Sequence, residues 1–327
     1  MPHRIVVLDG FTLTQAVPGQ LCPEGEPAWG AVEALGQLTV YDRTPPDEVA
    51  ARAAGAGIVL TNKTVLDADT IASLPELKYI GVLATGVNVV DLDAAKRAGV
   101  VVTNVPGYSG DAVAQHVFAL LLAMTNRVAE HDQSVHDGQW VNSPDFCFML
   151  SPLTELAGKT LGIVGAGDIG QKVAMIGHAL GMDILISSRT TKDLGIPAGW
   201  AELDDLFKQS DVLTLHCPLT DQTKNMVNAA RLSLMKRSAW LVNTARGALI
   251  DEAALAEALK QNRIAGAAVD VLSTEPPAAD NPLLGAPNCI ITPHNAWAAR
   301  EARHRLVKIA AGNIKAFLDG KPVNAVT

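Results

Sequence analysis

Short β-branched apolar runs alternate with helical segments along most of the chain, and this alternation constrains the fold more than any other feature. The runs "RIVVLD", "QLTVYD", "GIVLT", "YIGVLA" and "VVVTN" are each too short for a helix. Between them lie "PDEVAARAA", "DADTIASL" and "DLDAAKRAG", whose composition is helical. A strand–helix repeat of this kind predicts a parallel sheet covered on both faces. The first series ends near Asn104. A helical stretch from Ser109 to about Gly138 follows, and a loop with Pro144 and Pro152 leads to a second series. Its strands are "TLGIVG", "DILISS", "DVLTLHC", "AWLVNTA", "GAAVDVL" and "CIITP", and from about Trp297 the chain is helical again. A length of 327 residues exceeds one ordinary core and predicts two domains. The second series is read as a domain inserted into the first: residues 1–103 with 297–327, and residues 104–296. The two long helices between them are read as crossing segments that brace a cleft.

Composition narrows the class of partner. The net charge of −8 comes without a run of Lys or Arg, so neither nucleic acid nor an anionic membrane is an expected partner. The longest apolar run, "VFALLLAM", is far below the ~20 residues that span a bilayer. The amino-terminal "MPHRIVVLDG" has too short an apolar core for a secretory signal, and a cytoplasmic location is expected. Cys22, Cys147, Cys217 and Cys289 form no C-x-x-C pair and read as structural thiols of a reducing compartment. No H-E-x-x-H or comparable ligand set is present, so no metal is expected.

The stretch "TLGIVGAGDIGQKVAMIGHALG" places Gly165-Ala166-Gly167-Asp168-Ile169-Gly170 between an apolar strand and a helix with Ile169, Val173, Ile176 and Leu180 on one stripe. In that context G-x-G-x-x-G predicts a dinucleotide site. Gly165 makes the turn, Gly167 admits a pyrophosphate, Gly170 lets helix and strand pack closely, and the helix start supplies donors. Asp168 and Ile169 are expected to offer backbone contacts. The next strand ends at Ser188, 18 residues beyond Gly170, where an NAD site usually carries an acid. Here the sequence is "SSRTTK". A carboxylate would repel a 2′-phosphate, whereas Arg189 can pair with one, and Ser188 and Thr190 can add donors. NADP(H) is therefore the favoured cofactor, with NAD(H) possible.

Three further segments, "NTARGALIDEAALAEAL", "AAVDVLSTEPPAADNPLL" and "CIITPHNAWAAREAR", each follow or end a strand of the second series. Their Arg, Glu and His would fall at the carboxyl edge of the sheet, where ligands of open α/β sheets bind. Taken with the glycine turn and with "GVLATGVNVVDLDAAKRAGVVVTNVPGYS" in the first domain, they make the chain resemble the D-isomer-specific 2-hydroxyacid dehydrogenases. Within that family it resembles the glycerate dehydrogenase/hydroxypyruvate reductase group, over essentially the whole chain.

The resemblance implies an α/β fold of two Rossmann-like domains, the cofactor domain inserted into a flavodoxin-like substrate domain. It implies Arg246 as the residue that holds the substrate, and His294 as the general acid in reduction and base in oxidation. Glu275 would orient His294 and favour its protonated form. The backbone amides of Ala84, Thr85 and Gly86 would bind the substrate carboxylate. Cys217, Pro218, Thr223, Ala245 and Asp270 would surround the cofactor. Lys63 stands at the end of a strand, where cleft lining and a surface role are equally open. The implied reaction is reduction of a small 2-oxo acid, hydroxypyruvate to D-glycerate and glyoxylate to glycolate, by a homodimer pairing through the helix after Ser109. Two departures stand out. Gln115 occupies a position where many members have Glu, and Asn295 follows His294 where an apolar residue is typical. Another D-2-hydroxy acid as substrate, and a non-catalytic dinucleotide-sensing co-repressor-like role, stay open at this point.

Overall fold

The computed structural model describes residues 3–14 and 28–327; Cys22 lies outside them. The chain divides into two compact units, Met1–Ser109 with Trp297–Thr327, and Gly110–Ala296.

In the first unit, β1 (His3–Val7), β2 (Gly36–Val40), β3 (Ile58–Thr61), β4 (Tyr79–Val82) and β5 (Val101–Thr103) form one sheet in the order β2-β1-β3-β4-β5. All pairings are parallel. This is the flavodoxin-like order. Every residue of β3 and β4 is buried, so these strands read as unbroken apolar runs rather than as alternating ones. Helices Ala68–Ala72 and Leu92–Arg97 start where Asp67 and Asp91 accept from the N–H groups of Thr70 and Ala94. The last helix, Arg300–Leu318, buries Ala302, Leu306, Val307, Ala310 and Ile314. Phe317 near its end lies 4.9 Å from the Tyr79 ring, centroid to centroid, and the Val326 N–H donates to the Val102 carbonyl.

In the second unit, β6 (Thr160–Val164), β7 (Asp183–Ser187), β8 (Gly199–Trp200), β9 (Val212–Leu215), β10 (Trp240–Asn243), β11 (Gly266–Val269) and β12 (Cys289–Ile291) form a parallel sheet. The order is β12-β11-β10-β9-β6-β7-β8, the doubly wound dinucleotide-binding topology with its reversal between β6 and β9. Successive residues feed opposite faces. Leu241 and Ala267 join one core cluster; Val242 and Ala268 join the other, under helices Gly110–Asn126 and Asp168–Ala179.

Two sequence expectations are corrected, and one strand is added. The helix expected from Ser109 to about Gly138 is two helices, Gly110–Asn126 and Val128–His136, bent by 55°. Arg127 between them takes a left-handed backbone (φ 49°), its guanidinium bonded to Glu130 at 2.8 Å. Among the described residues no single helix is long and apolar enough to cross a membrane. Leu180 is 38% exposed rather than on the buried stripe, because the helix ends at Ala179 and Gly181 (φ 76°) turns the chain away. The two-residue edge strand β8 has no counterpart in the sequence reading.

Candidate active site

The turn after β6 has the geometry of a dinucleotide cradle. Gly165 has φ 100°, and a Cβ there would lie 2.8 Å from the His216 carbonyl oxygen. A Cβ on Gly170 would lie 2.0 Å from the Gly165 carbonyl oxygen, so the helix can start this close to the turn only with glycine. Around Gly167 nothing lies within 4 Å of such an atom. That open side, at the start of helix Asp168–Ala179, fits a pyrophosphate approaching backbone amides. The Gly165 N–H donates to the Ser187 carbonyl and ties the turn to the end of β7.

Beyond β7, Ser188 is half-buried, while Arg189, Thr190, Thr191 and Lys192 are exposed. Neither Arg189 nor Lys192 forms an ion pair among the described residues. On the other side of the turn, β9 runs into His216, Cys217 and Pro218. Burial pushes the Cys217 thiol up, and its Sγ lies 3.7 Å from the Met226 Sδ. Burial holds His216 neutral, its imidazole pushed down to about 3. The Thr223 hydroxyl donates to the Pro218 carbonyl at 2.8 Å and accepts from the Thr220 N–H. It thus closes the 218–223 loop.

The other groups stand on the neighbouring strands β10, β11 and β12. After β10, buried Asn243 accepts from the Ala245 N–H at 3.0 Å and donates to the Arg246 carbonyl at 2.9 Å, fixing the turn that presents Arg246. The Arg246 guanidinium is exposed, donates to the Ala245 carbonyl at 2.7 Å, and meets no carboxylate among the described residues. A planar cation in that state can take an anion bidentately. After β12, the His294 Nδ1 lies 2.5 Å from the Glu275 Oε2, and the Leu272 N–H holds the other Glu275 oxygen at 3.0 Å. Glu252 pins the same loop by accepting from the Ser273 N–H and the Asn281 amide. With Nδ1 engaged by a carboxylate, Nε2 is the nitrogen left to exchange a proton.

His294 has φ 51°. A left-handed backbone costs about 1–2 kcal/mol for an L-residue with a Cβ, and persists where the surroundings over-determine it. Asp270, 1% exposed at the end of β11, does this. Its carbonyl accepts from the His294 N–H at 2.8 Å. Its carboxylate accepts from the Asn295 N–H, the Ala296 N–H and the Thr292 hydroxyl, at 2.9, 2.9 and 2.6 Å. The Asp270 side chain thus supports the loop that carries His294. Thr292 and Asn243 were missed. A polar residue buried at a strand end was the signal available for Asn243.

In the first unit, the carbonyls of Ala84 and Thr85 accept from the Val105 N–H (3.0 Å) and the Asn104 amide (2.7 Å). The N–H groups of Ala84, Thr85 and Gly86 have no partner among the described residues. Three consecutive free amides suit an anion. Beside them, Asp9 accepts from the N–H groups of Asn62, Lys63 and Thr64, and Lys63 projects exposed from that pinned loop.

Residues 118–296 match the family model described as "D-isomer specific 2-hydroxyacid dehydrogenase, NAD binding domain". The chain is 46% identical over 329 residues to a hydroxypyruvate reductase of Blautia hydrogenotrophica, covering 99% of each. It is 45% identical to a glycerate dehydrogenase of Methylorubrum extorquens, covering 88% of this chain and 90% of the relative. Among solved structures it resembles an acyclic imino acid reductase (Bsp5) in complex with NADPH and D-Arg, with a TM-score of 0.84, 31% identity, and coverage of 99% and 100%. The family model covers more than half of the chain and the two relatives nearly all of it, so the chain belongs to the D-isomer-specific 2-hydroxyacid dehydrogenase family, whose NAD-binding domain is the unit that carries the glycine turn, Arg246 and His294.

Proposed function

We propose that this chain reduces hydroxypyruvate to D-glycerate and glyoxylate to glycolate, with NADPH preferred over NADH. The observation that carries the reading is the His294–Glu275 pair at 2.5 Å, which leaves one imidazole nitrogen to protonate a forming alkoxide. The nicotinamide dinucleotide supplies the hydride. Arg246 holds the substrate's carboxylate and carbonyl oxygens and draws charge onto the carbonyl. The free amides of Ala84, Thr85 and Gly86 are assigned to the substrate carboxylate. Gly165, Gly167, Asp168, Ile169 and Gly170 cradle the pyrophosphate, and Cys217, Pro218 and Ala245 line the nicotinamide end. The two relatives named for hydroxypyruvate and glycerate support the substrate. Glyoxylate presents the same carboxylate–carbonyl pair without a side group.

The exposed and unpaired Arg189 and Lys192, with no acid at the end of β7, support the 2′-phosphate. A cytoplasmic homodimer completes the reading. Its pairing surface is the helix Gly110–Asn126, where Ala114, Phe118 and Leu122, with Met175 of helix Asp168–Ala179, line an apolar groove of about 610 Å³.

The test is the loss of reduced-nicotinamide absorbance with hydroxypyruvate, glyoxylate and pyruvate, run in parallel with NADPH and NADH. Turnover of hydroxypyruvate with NADPH preferred is the expected result. A preference for NADH removes the clamp and leaves the reaction. Cofactor binding without turnover on any of the three acids removes the proposed substrates.

A further inference from the structure

We propose that His116 is a positioning residue for the reaction, acting on His294 through a directed relay of hydrogen bonds, His116 to Thr292 to Asp270. The proposal rests on the role given to His294 above. His116 stands on helix Gly110–Asn126, and its Nε2 lies 3.1 Å from the Thr292 Oγ1 and 3.6 Å from the Asp270 Oδ1.

The direction of the relay follows from counting protons. Thr292 has one hydroxyl hydrogen, and its oxygen is 2.6 Å from a carboxylate oxygen that can only accept. The hydrogen therefore lies between those two atoms; turned toward His116, it would leave two lone-pair-bearing oxygens facing each other. The Thr292 oxygen then accepts, and the His116 Nε2 donates. This fixes the Nε2–H tautomer and polarises the Thr292 hydroxyl toward Asp270.

The end of the relay is the strained loop. Asp270 engages the backbone N–H groups of His294, Asn295 and Ala296, through its carbonyl for the first and its two carboxylate oxygens for the others. A carboxylate fixed from one side by Thr292 holds those amides, and with them the left-handed His294, in one place. Loss of the His116 donor removes the group that holds and polarises the Thr292 oxygen, its bond to Asp270 weakens, and the loop loosens while the substrate-holding Arg246, on a different strand end, is untouched. Misplacement of a proton donor lowers kcat without a matching change in KM.

The experiment compares His116→Leu, His116→Gln, Thr292→Val, Thr292→Ser and the double variant His116→Leu/Thr292→Val, each checked for an unchanged Tm. The expected result is a fall in kcat of about ten-fold for His116→Leu and for Thr292→Val, with KM for the 2-oxo acid within about two-fold. His116→Gln, which restores an N–H, and Thr292→Ser, which restores the hydroxyl, recover most of kcat. The double variant is no slower than Thr292→Val alone. Fully multiplicative effects, or His116→Leu at wild-type kcat, overturn the relay.

A second readout does not depend on turnover. Long-range 15N–1H spectra of the histidine side chains, taken above neutral pH, report the tautomer of His116. The Nε2–H form supports the relay even if no tested acid is a substrate, and the Nδ1–H form overturns it even if all are.

Discussion

The carboxyl edges of the two sheets offer chemistry by different means. At the β10–β12 edge the groups on offer are side chains held by other side chains: Glu275 on His294, Asn243 around Arg246, Asp270 under the whole 292–296 segment. At the β3–β5 edge the groups on offer are backbone amides without partners among the described residues, with neighbouring carbonyls tied down and Asp9 pinning the adjacent loop. An edge made of side chains loses function to single replacements. An edge made of backbone should accept many side chains and fail only when an N–H is removed or the turn is reshaped.

The contrast can be broken by experiment. The largest expected effect is His294→Gln, which removes the exchanged proton and should lower kcat by about 10²–10⁴-fold in the reductive direction, read by single-turnover kinetics. Next comes a pair at the other edge. Thr85→Pro deletes an amide donor and should raise KM by about ten-fold or more, whereas Thr85→Val should leave KM within about two-fold. Equal effects would mean that the side chain, not the backbone, does the binding there. Arg189→Ser should raise KM for NADPH by about ten-fold and leave NADH nearly unchanged, in steady-state assays with both cofactors.

The smallest effect concerns His216, a histidine on the side-chain edge with no chemistry assigned. Its folded-state value of about 3 lies below the unfolded value near 6.5, so the unfolded chain binds the extra proton. Its contribution to stability is complete above about pH 6.5 and is lost as the pH falls toward 3, at up to about 1.4 kcal/mol per unit. Urea unfolding from pH 7 down to pH 4.5 should show a shallower decline in His216→Asn than in the parent chain.

What could be read from the sequence was local and contiguous. The glycine turn, "NTARG" and "TPHNA" each carry their meaning within a few residues, and the strand runs announce themselves because both faces of a parallel sheet are buried. What could not be read depends on strands lying side by side. Asp270 precedes His294 by 24 positions, and only the pairing of β11 with β12 turns it into the support of that loop. The bond from the Thr223 hydroxyl to the Pro218 carbonyl is set by the local backbone path, which a motif does not encode. The break at Arg127 involves neither Gly nor Pro, so nothing in the helical pattern announced it.

The first unit is assembled from two stretches of chain, residues up to Ser109 and those from Trp297 on. Helix Arg300–Leu318 supplies buried residues that no earlier segment replaces, and the Ala325 bridge to Thr103 adds an edge to β5. During synthesis this means that the part made first is completed last. The cofactor-binding unit, a single uninterrupted stretch, leaves the ribosome with everything it needs. The amino-terminal sheet, made earlier, keeps one apolar face uncovered until helix Arg300–Leu318 emerges. A growing chain of this protein therefore gains its nucleotide site before the other unit is whole, and the chaperone-sensitive interval falls on the amino-terminal half.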